Sequence, residues 1–273
     1  MTKLFKIGFF CTLTLILLAV FVHFQNNHIV VTRILLAEKS NRNNIRIVHL
    51  SDLQCKTFGP DQTPLLRTVK SLTPDLIVFT GDLVDAFHYD PKSWRLLMRR
   101  LPQIAPTYFV SGNHEWWKGN FTNVVEPMLK NYGVHVLRNK TLAIHVKNKA
   151  LCLTGVDDPE GFQSSQAYAD TLEHLSRHLN RSHFSILLVH RPEYFDLYDR
   201  IGFDLTFAGH AHGGQFRLPF IGGLFAPGQG FLPRFSAGLY RGTHSDLILS
   251  RGLGNSVFPV RVLNYPEVIM VEI

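Results

Sequence analysis

Residues 45–54 read IRIVHLSDLQ, a run rich in β-branched residues that stops on Ser51, Asp52 and Gln54. The same pattern recurs downstream. LIVFT (76–80) runs into GDLVD, with Asp82 and Asp85, and TYFV (107–110) runs into SGNHE, with Asn113 and His114. FSILLVH (184–190) ends on His190, and LTFAG (205–209) opens into HAHGGQ, with His210 and His212. The first three runs are apolar almost throughout, as strands covered on both faces must be. Helical periodicity lies between the runs, at TPLLRTVKSL (63–72), PKSWRLLMRRL (91–101), FTNVVEPMLKNYG (121–133) and SQAYADTLEHLSRHL (165–179). Such alternation predicts a layered α/β domain with its chemistry in loops at the carboxyl ends of strands. Further strands are expected at LAIHV (142–146) and ALCLTG (150–155). Beyond a Gly, Pro and Phe-rich stretch at 213–235, SDLILS, PVRVLN and EVIMVEI read as strands too.

The chain of 273 residues is 45% hydrophobic, long enough to bury a sizeable core, which excludes a disordered or collagen-like protein. Its 28 Lys and Arg against 21 Asp and Glu leave a net charge of +7. That bias suits anionic partners without choosing among phosphates, acidic lipids and nucleic acid. Three scattered cysteines, Cys11, Cys55 and Cys152, exclude a disulfide scaffold and a CxxC zinc ribbon. Residues 7–24, IGFFCTLTLILLAVFVHF, hold no Asp, Glu, Lys or Arg and no polar stripe. They read as one membrane helix in preference to a cleaved signal peptide or a buried core helix. The expected partition is an anchor over 1–28, a basic linker over 29–43 and one domain over 44–273. Lys3 and Lys6 on one side face Arg33, Lys39, Arg42 and Arg46 on the other, with Glu38 opposing, so orientation is undecided. The second basic group would also suit anionic headgroups.

Each polar residue at a strand end has an ordinary reading alone. Asp52 could cap a turn, GNHE could be a turn, and His190 could be a core histidine. GHAHGGQ is harder to dismiss, because two imidazoles two residues apart in a Gly-rich turn are costly to place without a cation or a phosphate. Taken together, five strand ends present carboxylate, amide or imidazole. A mixed oxygen and nitrogen set with no thiolate suits Mn, Fe or Zn. Using all of it requires two ions, with Asp82 the natural bridging carboxylate. Two neighbouring cations can activate water and stabilise phosphoryl oxygens during in-line displacement.

The series SDLQ, GDLVD, GNHE, LLVHRPE and GHAHGGQ resembles the calcineurin-like metallophosphoesterase superfamily. HGGQFRLPF, YRGTHSDLILSRGLG and PVRVLNYPEVIMVEI resemble its bacterial, often membrane-linked branch, so the likeness covers residues 44–273. It implies a four-layer α-β-β-α sandwich, here preceded by one transmembrane helix. It further implies one ion held by Asp52, Asp82 and His212 with Gln54 in a ligand position, and another held by Asp82, Asn113, His190 and His210. His114 would orient the phosphate and protonate the leaving oxygen without ligating. Gln54 departs from the commoner Asp-x-His pattern. An amide oxygen donates less strongly than imidazole, so that site would be weaker or more manganese-like, or Gln54 would instead bond to substrate.

The reaction expected is hydrolysis of a phosphodiester or pyrophosphate. The anchor favours a phosphorylated lipid at the bacterial inner membrane, with UDP-2,3-diacylglucosamine the most specific version that the branch suggests. A general phosphodiesterase acting on small diesters, or a nuclease, is the alternative enzyme. Nucleic acid is disfavoured, because Arg99 and Arg100 form the one tight basic pair before the third strand. A non-catalytic tethered binding protein would be expected to lack ligands that this chain retains, and no obligatory protein partner is evident. Other residues carry two readings each. Asp157 and Asp158 either cap a loop or support the site, Trp116 and Trp117 either wall the substrate or pack a helix, and Arg217 and Arg251 either meet phosphate or bridge core elements. Gly252 and Gly254 are expected to serve turn geometry.

Overall fold

The computed structural model describes residues 3–36, 44–255 and 258–273. Strands β1 (Val30–Leu35), β2 (Arg46–Leu50), β3 (Leu76–Thr80), β4 (Thr107–Val110) and β5 (His135–Val136) come first. They are followed by β6 (Lys140–Val146), β7 (Lys149–Gly155), β8 (Phe184–Leu188) and β9 (Leu205–Ala208). Four two-residue strands come next: β10 (Arg217–Leu218), β11 (Gly222–Gly223), β12 (Phe225–Ala226) and β13 (Gly230–Phe231). The chain closes with β14 (Gly238–Arg241), β15 (Asp246–Leu249) and β16 (Glu267–Glu272). One sheet has the order β1-β16-β2-β3-β4-β5 and the other β14-β15-β9-β8-β7-β6. Within them β2, β3 and β4 run parallel, as do β7, β8, β9 and β15.

Alternation along the strands explains the layering. Ile47, Val78, Val110, Ile269 and Val271 of the first sheet interdigitate with Leu153, Ile186, Leu188, Phe207 and Ile248 of the second. The opposite parity of the first sheet, Val48, Leu50, Ile77, Phe79 and Phe109, packs under helices α2 (Thr63–Ser71) and α3 (Pro91–Arg100) through Leu65, Val69, Trp94, Leu97 and Met98. On the far side Leu187, Leu247 and Leu249 meet α6 (Ser165–Arg177) and α7 (Phe195–Ile201) through Tyr168, Leu172, Phe195 and Tyr198. The result is the expected four-layer α-β-β-α sandwich. Strands covered on both sides need side chains apolar in both directions, which is why β2, β3 and β4 read as near-continuous apolar runs.

Three expectations are corrected. Val30–Leu35 is not linker but an edge strand, paired in parallel with β16 from Val30 opposite Glu267 to Leu35 opposite Glu272. Its β-branched residues and the unpaired flank of β16 outweigh the charge of Arg33. The rest of that basic stretch, residues 37–43, lies outside the described residues. PVRVLN makes a single bridge, Val262 to Phe216, because Arg261 turns inward to Gly254 O and Asn264 turns to His212 O and Gln215 O. The 121–133 stretch begins as a π turn over Phe121–Val125 before α5 (Glu126–Asn131), and the short helix α4 (Asn113–Trp117) precedes it.

Helix α1 (Lys3–Asn27) carries an apolar span at Phe5–Asn27, long enough to cross a bilayer, and the side chains of residues 5–24 are not buried in the domain. Its last turn docks on the domain: Asn26 Oδ1 accepts from Arg261 N at 3.1 Å, and Gln25 Nε2 donates to Tyr265 Oη at 2.8 Å.

Between the sheets His49 is fully buried against the Phe207 ring, its Nε2 2.8 Å from Thr80 Oγ1. Burial pushes this imidazole from 6.5 down to about 3. The unfolded chain therefore binds a proton that the folded chain refuses between those values, so stability is lost as pH falls below 6.5. The slope from this group is about 1.4 kcal/mol per pH unit. His49→Gln should flatten the wild-type difference in urea-unfolding free energy between pH 7 and pH 5 by that order; an unchanged difference would assign the acid slope to other groups.

Candidate metal centre

The carboxyl ends of β2, β3, β4, β8 and β9 point to one edge of the sandwich, and the loops leaving them converge there. Asp52, Asp82 and His212 place ligand atoms within 4.8 Å of one another, as do Asp82, His190 and His210. Asp82 belongs to both groups. All five are buried. Asp82 Oδ2 lies 3.3 Å from His190 Nε2 and accepts from Gln54 Nε2 at 2.8 Å, while Asp82 Oδ1 accepts from His114 N at 2.9 Å. His212 Nε2 lies 3.4 Å from Asp52 Oδ1, and His210 N donates to the same carboxylate at 3.0 Å.

Local backbone makes this convergence possible. Asp52, Gln54, Asp82, His210 and His212 all have φ between 47° and 67°, the left-handed region that non-glycine residues avoid at a cost of ~1 kcal/mol or more each. Gly112 and Gly209 permit the approach, since a Cβ on Gly112 would strike the Asp82 carboxylate and one on Gly209 would strike Ser51 and Asp52. Five residues in so unfavourable a region, with two glycines shaved to fit, are the mark of a built site.

The donor chemistry fits divalent cations. His190 Nδ1 is 2.6 Å from Thr80 O, so that nitrogen carries a proton and Nε2 faces inward, 3.2 Å from His210 Nδ1 and available as a lone pair once the proton it shares with Asp82 is displaced. Gln54 Oε1, Asn113 Oδ1, His210 Nε2 and His212 Nδ1 are buried atoms with no hydrogen-bond partner among the described residues. Burial depresses His212 to about 3 and, with the His190 charge, holds His210 well below its ordinary value. Both imidazoles therefore keep lone pairs free at neutral pH. Burial pushes His190 down, but the Asp82 charge overrides it and lifts the ring to about 10. Asp82 is in turn driven well below the carboxylate range, the His190 and His114 rings overcoming burial.

His114 stands apart from the ligand atoms. Ala86 N donates to its Nδ1 at 3.0 Å, which puts the neutral ring's proton on Nε2, the atom facing Asp82 Oδ2 at 4.0 Å. The ring is flanked by Trp117, 5.1 Å between centroids, and by Phe87 at 5.8 Å, and both flanking residues are exposed. Trp117 therefore walls the cleft. Trp116 packs inward on Phe121 and donates to Ser111 Oγ.

One organising residue escaped the sequence reading. Glu115, the last residue of GNHE, is fully buried, and its two oxygens accept four backbone N–H groups. Asp82 N and Gly112 N meet Oε2 at 2.9 and 2.7 Å; Leu83 N and Val84 N meet Oε1 at 2.8 and 3.1 Å. Burial and the Asp82 charge push this carboxyl up to about 8. Four donors on two oxygens nevertheless leave a carboxyl proton no acceptor, so the geometry is that of the anion. The signal available was an acidic residue two positions after Asn113, unreadable until the Asp82 loop is brought beside it. Asp157 accepts from Ser111 Oγ at 2.8 Å and from Arg138 Nε at 3.0 Å and caps no backbone N–H among the described residues, whereas Asp158 caps Glu160 N and pairs with Arg191 Nε at 2.9 Å. Arg217 and Arg251 meet protein, Gly213 O and Glu267 respectively.

Buried carboxylate and imidazole donors gathered at the carboxyl ends of two stacked, mostly parallel sheets define a metal-dependent hydrolase of the α-β-β-α class. A family model described as calcineurin-like phosphoesterase matches residues 45–214, and the chain belongs to that family; it is a metallophosphoesterase. The chain is 31% identical over 233 residues to the metallophosphoesterase YkuE of Bacillus subtilis (strain 168), covering 82% of this chain and 77% of that one. It is 30% identical over 241 residues to the phosphodiesterase YaeI of Escherichia coli (strain K12), covering 86% and 84%. The solved sulfate thiohydrolase SoxB of Thermus thermophilus superposes with a TM-score of 0.52 at 13% identity, over 80% of this chain and 53% of its own, a likeness of fold alone.

Glu115→Gln would set an amide N–H₂ against backbone donors, leaving buried N–H groups unpaired at ~1–3 kcal/mol. It should lower the melting temperature and reduce bound metal together, while Glu115→Asp restores part of both. Wild-type metal content in Glu115→Gln would show that the loops hold without it. Gln54→His should tighten divalent-metal binding by about tenfold in a titration with Mn²⁺ as the probe ion, as imidazole donates more strongly than amide oxygen; an unchanged calorimetric titration would place Gln54 outside the ligand set.

Proposed function

We propose that this metallophosphoesterase holds two divalent ions, manganese foremost, and hydrolyses a phosphodiester or pyrophosphate bond in a membrane-associated lipid. The observation that carries the reading is the two groups of buried ligand atoms sharing Asp82, with partnerless polar atoms on Gln54, Asn113, His210 and His212. Asp52, Asp82, His212 and Gln54 would hold one ion, and Asp82, Asn113, His190 and His210 the other. When bound, such a pair lowers the pKa of water and neutralises phosphoryl oxygens.

The chain's own groups supply the rest. His114 points Nε2 into the cleft; as the imidazolium, with its second proton on Nδ1 turned from Ala86 N to Asp85 Oδ1 3.8 Å away, it would serve as the acid that protonates the leaving oxygen and returns to the neutral ring. Trp117 and Phe87 exclude water on either side of that ring. The apolar span of α1 supports a single-pass location in a bacterial inner membrane and favours a lipid substrate, UDP-2,3-diacylglucosamine being its most specific form. The name of the YaeI relative supports a general phosphodiesterase as the second reading.

The test is turnover of the purified full chain with Mn²⁺ on bis-p-nitrophenyl phosphate, p-nitrophenyl phosphate and UDP-diacylglucosamine, with Asp82→Ala as control. UMP release well above diester turnover supports the lipid reading, and activity confined to the small diester supports the general one. His114→Ala should lower kcat on esters with poor leaving groups by ~10²–10⁴-fold while metal content stays at wild type; metal loss matching that of Asp82→Ala would make His114 a ligand instead.

A further inference from the structure

The segment after His212 folds into two small antiparallel hairpins, β10–β11 and β12–β13. Leu224 N donates to Gly214 O at 3.1 Å and to Phe216 O at 2.8 Å, which ties the hairpins to the loop carrying His212. Together with Phe258 they enclose a cavity of about 540 Å³ lined by His212, Phe216, Leu224, Phe225 and Phe231. The lining is almost wholly apolar, and its polar members are Gln215 and His212, an imidazole of the candidate metal cluster. A molecule that fills the cavity must be hydrocarbon along most of its length, and a phosphate placed at the Asp82 cluster by the phosphoesterase reading would lie beside His212.

The surroundings identify its source. Phe220, Ile221, Phe231 and Leu232 stand exposed on the hairpins, more apolar surface than a hairpin tip in water normally shows. The cavity wall and the end of α1 share one stretch of chain. Gln215 Nε2 donates to Phe258 O and Val260 O, each at 2.8 Å, and Arg261 N bonds Asn26 in the last turn of α1. The Arg261 guanidinium then reaches Gly254 O, and Gly254 N donates to Asp52 O. A short series of hydrogen bonds thus joins the membrane-type helix to a proposed metal ligand, and the cavity opens beside it.

We propose that this cavity is a tail subsite: it takes one hydrocarbon chain of a phosphorylated membrane lipid whose phosphate sits at the Asp82 cluster. The exposed hairpin residues rest in the bilayer interface as a second contact beside α1. The placing of the phosphate rests on the phosphoesterase reading above; the apolar subsite rests on the cavity alone.

The experiment uses the full chain in phosphatidylcholine nanodiscs containing phosphatidic acid with a diazirine in its acyl chain. After photolysis, mass spectrometry should find label on Phe216, Leu224 or Phe225 as well as on α1. Leu224→Trp, which fills the cavity, should cut cavity label about tenfold, the loss expected when some two methylenes are denied burial, and leave α1 label unchanged. An excess of unlabelled phosphatidic acid should suppress cavity label in the wild type, which tests the subsite even if that variant fails to fold. Label confined to α1, label on Phe220 and Leu232 without any inside the cavity, or cavity label that resists competition would each overturn the proposal. Bis-p-nitrophenyl phosphate turnover with Mn²⁺ in the same discs separates the two readings. Cavity label without turnover sinks the catalytic reading and leaves the subsite, whereas turnover with label confined to α1 sinks the subsite alone.

Discussion

Asp82 is a carboxylate that water scarcely reaches, and the loops after β2, β3, β4 and β8 are each tied to it. Gln54 donates to it from the first loop, His114 N from the third, and the His190 ring faces it from the fourth. Taking an ion out of water costs several kcal/mol even after relaxation, and only opposite charge and good hydrogen bonds offset that cost. Asp82 has both, while Glu115 behind it is held by hydrogen bonds from four backbone donors. The left-handed conformations of Asp52, Gln54, Asp82, His210 and His212 are tolerable because this polar network over-determines them.

The remaining polarity of the site follows from one arrangement. Among the three imidazoles of the candidate metal groups, His190 shares a proton with Asp82, while His210 and His212 stay neutral in their burial. Metal binding therefore competes with a proton at His190 and meets open lone pairs at the other two. The Ala86 N–H meets Nδ1 of His114 and the Thr80 carbonyl meets Nδ1 of His190, so the backbone group beside each ring sets which nitrogen faces the cluster.

The second half of the chain contributes more than a covering layer. Beyond His210 and His212 it sends Gly252 and Gly254 back against the Asp52 loop, where Gly254 N bonds Asp52 O and a Cβ on Gly252 would strike the Asp52 side chain. Arg261, wholly buried, connects that turn to Asn26 at the end of α1. Membrane-type helix, hairpin lobe and metal loops are therefore parts of one hydrogen-bonded edge, and apolar surface is concentrated there.

Much of this was legible in the chain itself. Apolar runs ending on Asp52, Asp82, Asn113, His190 and His210 disclose both the layered sheets and the chemistry at their ends, because a strand buried on two faces cannot hide its composition. The span at 7–24 is legible for the same reason. Local pattern failed where a distant partner decided the outcome. Val30–Leu35 became a strand only because β16 offered a free edge, and PVRVLN did not because Arg261 and Asn264 had loops to satisfy. Glu115 acquired its role when the Asp82 loop arrived beside it, and the hairpins acquired a cavity when Phe258 closed over them. The sequence by itself determined which groups carry charge, lone pairs and hydrocarbon; tertiary structure decided which of them meet, since hydrogen bonds and ligation act over a few ångströms between residues that lie far apart along the chain.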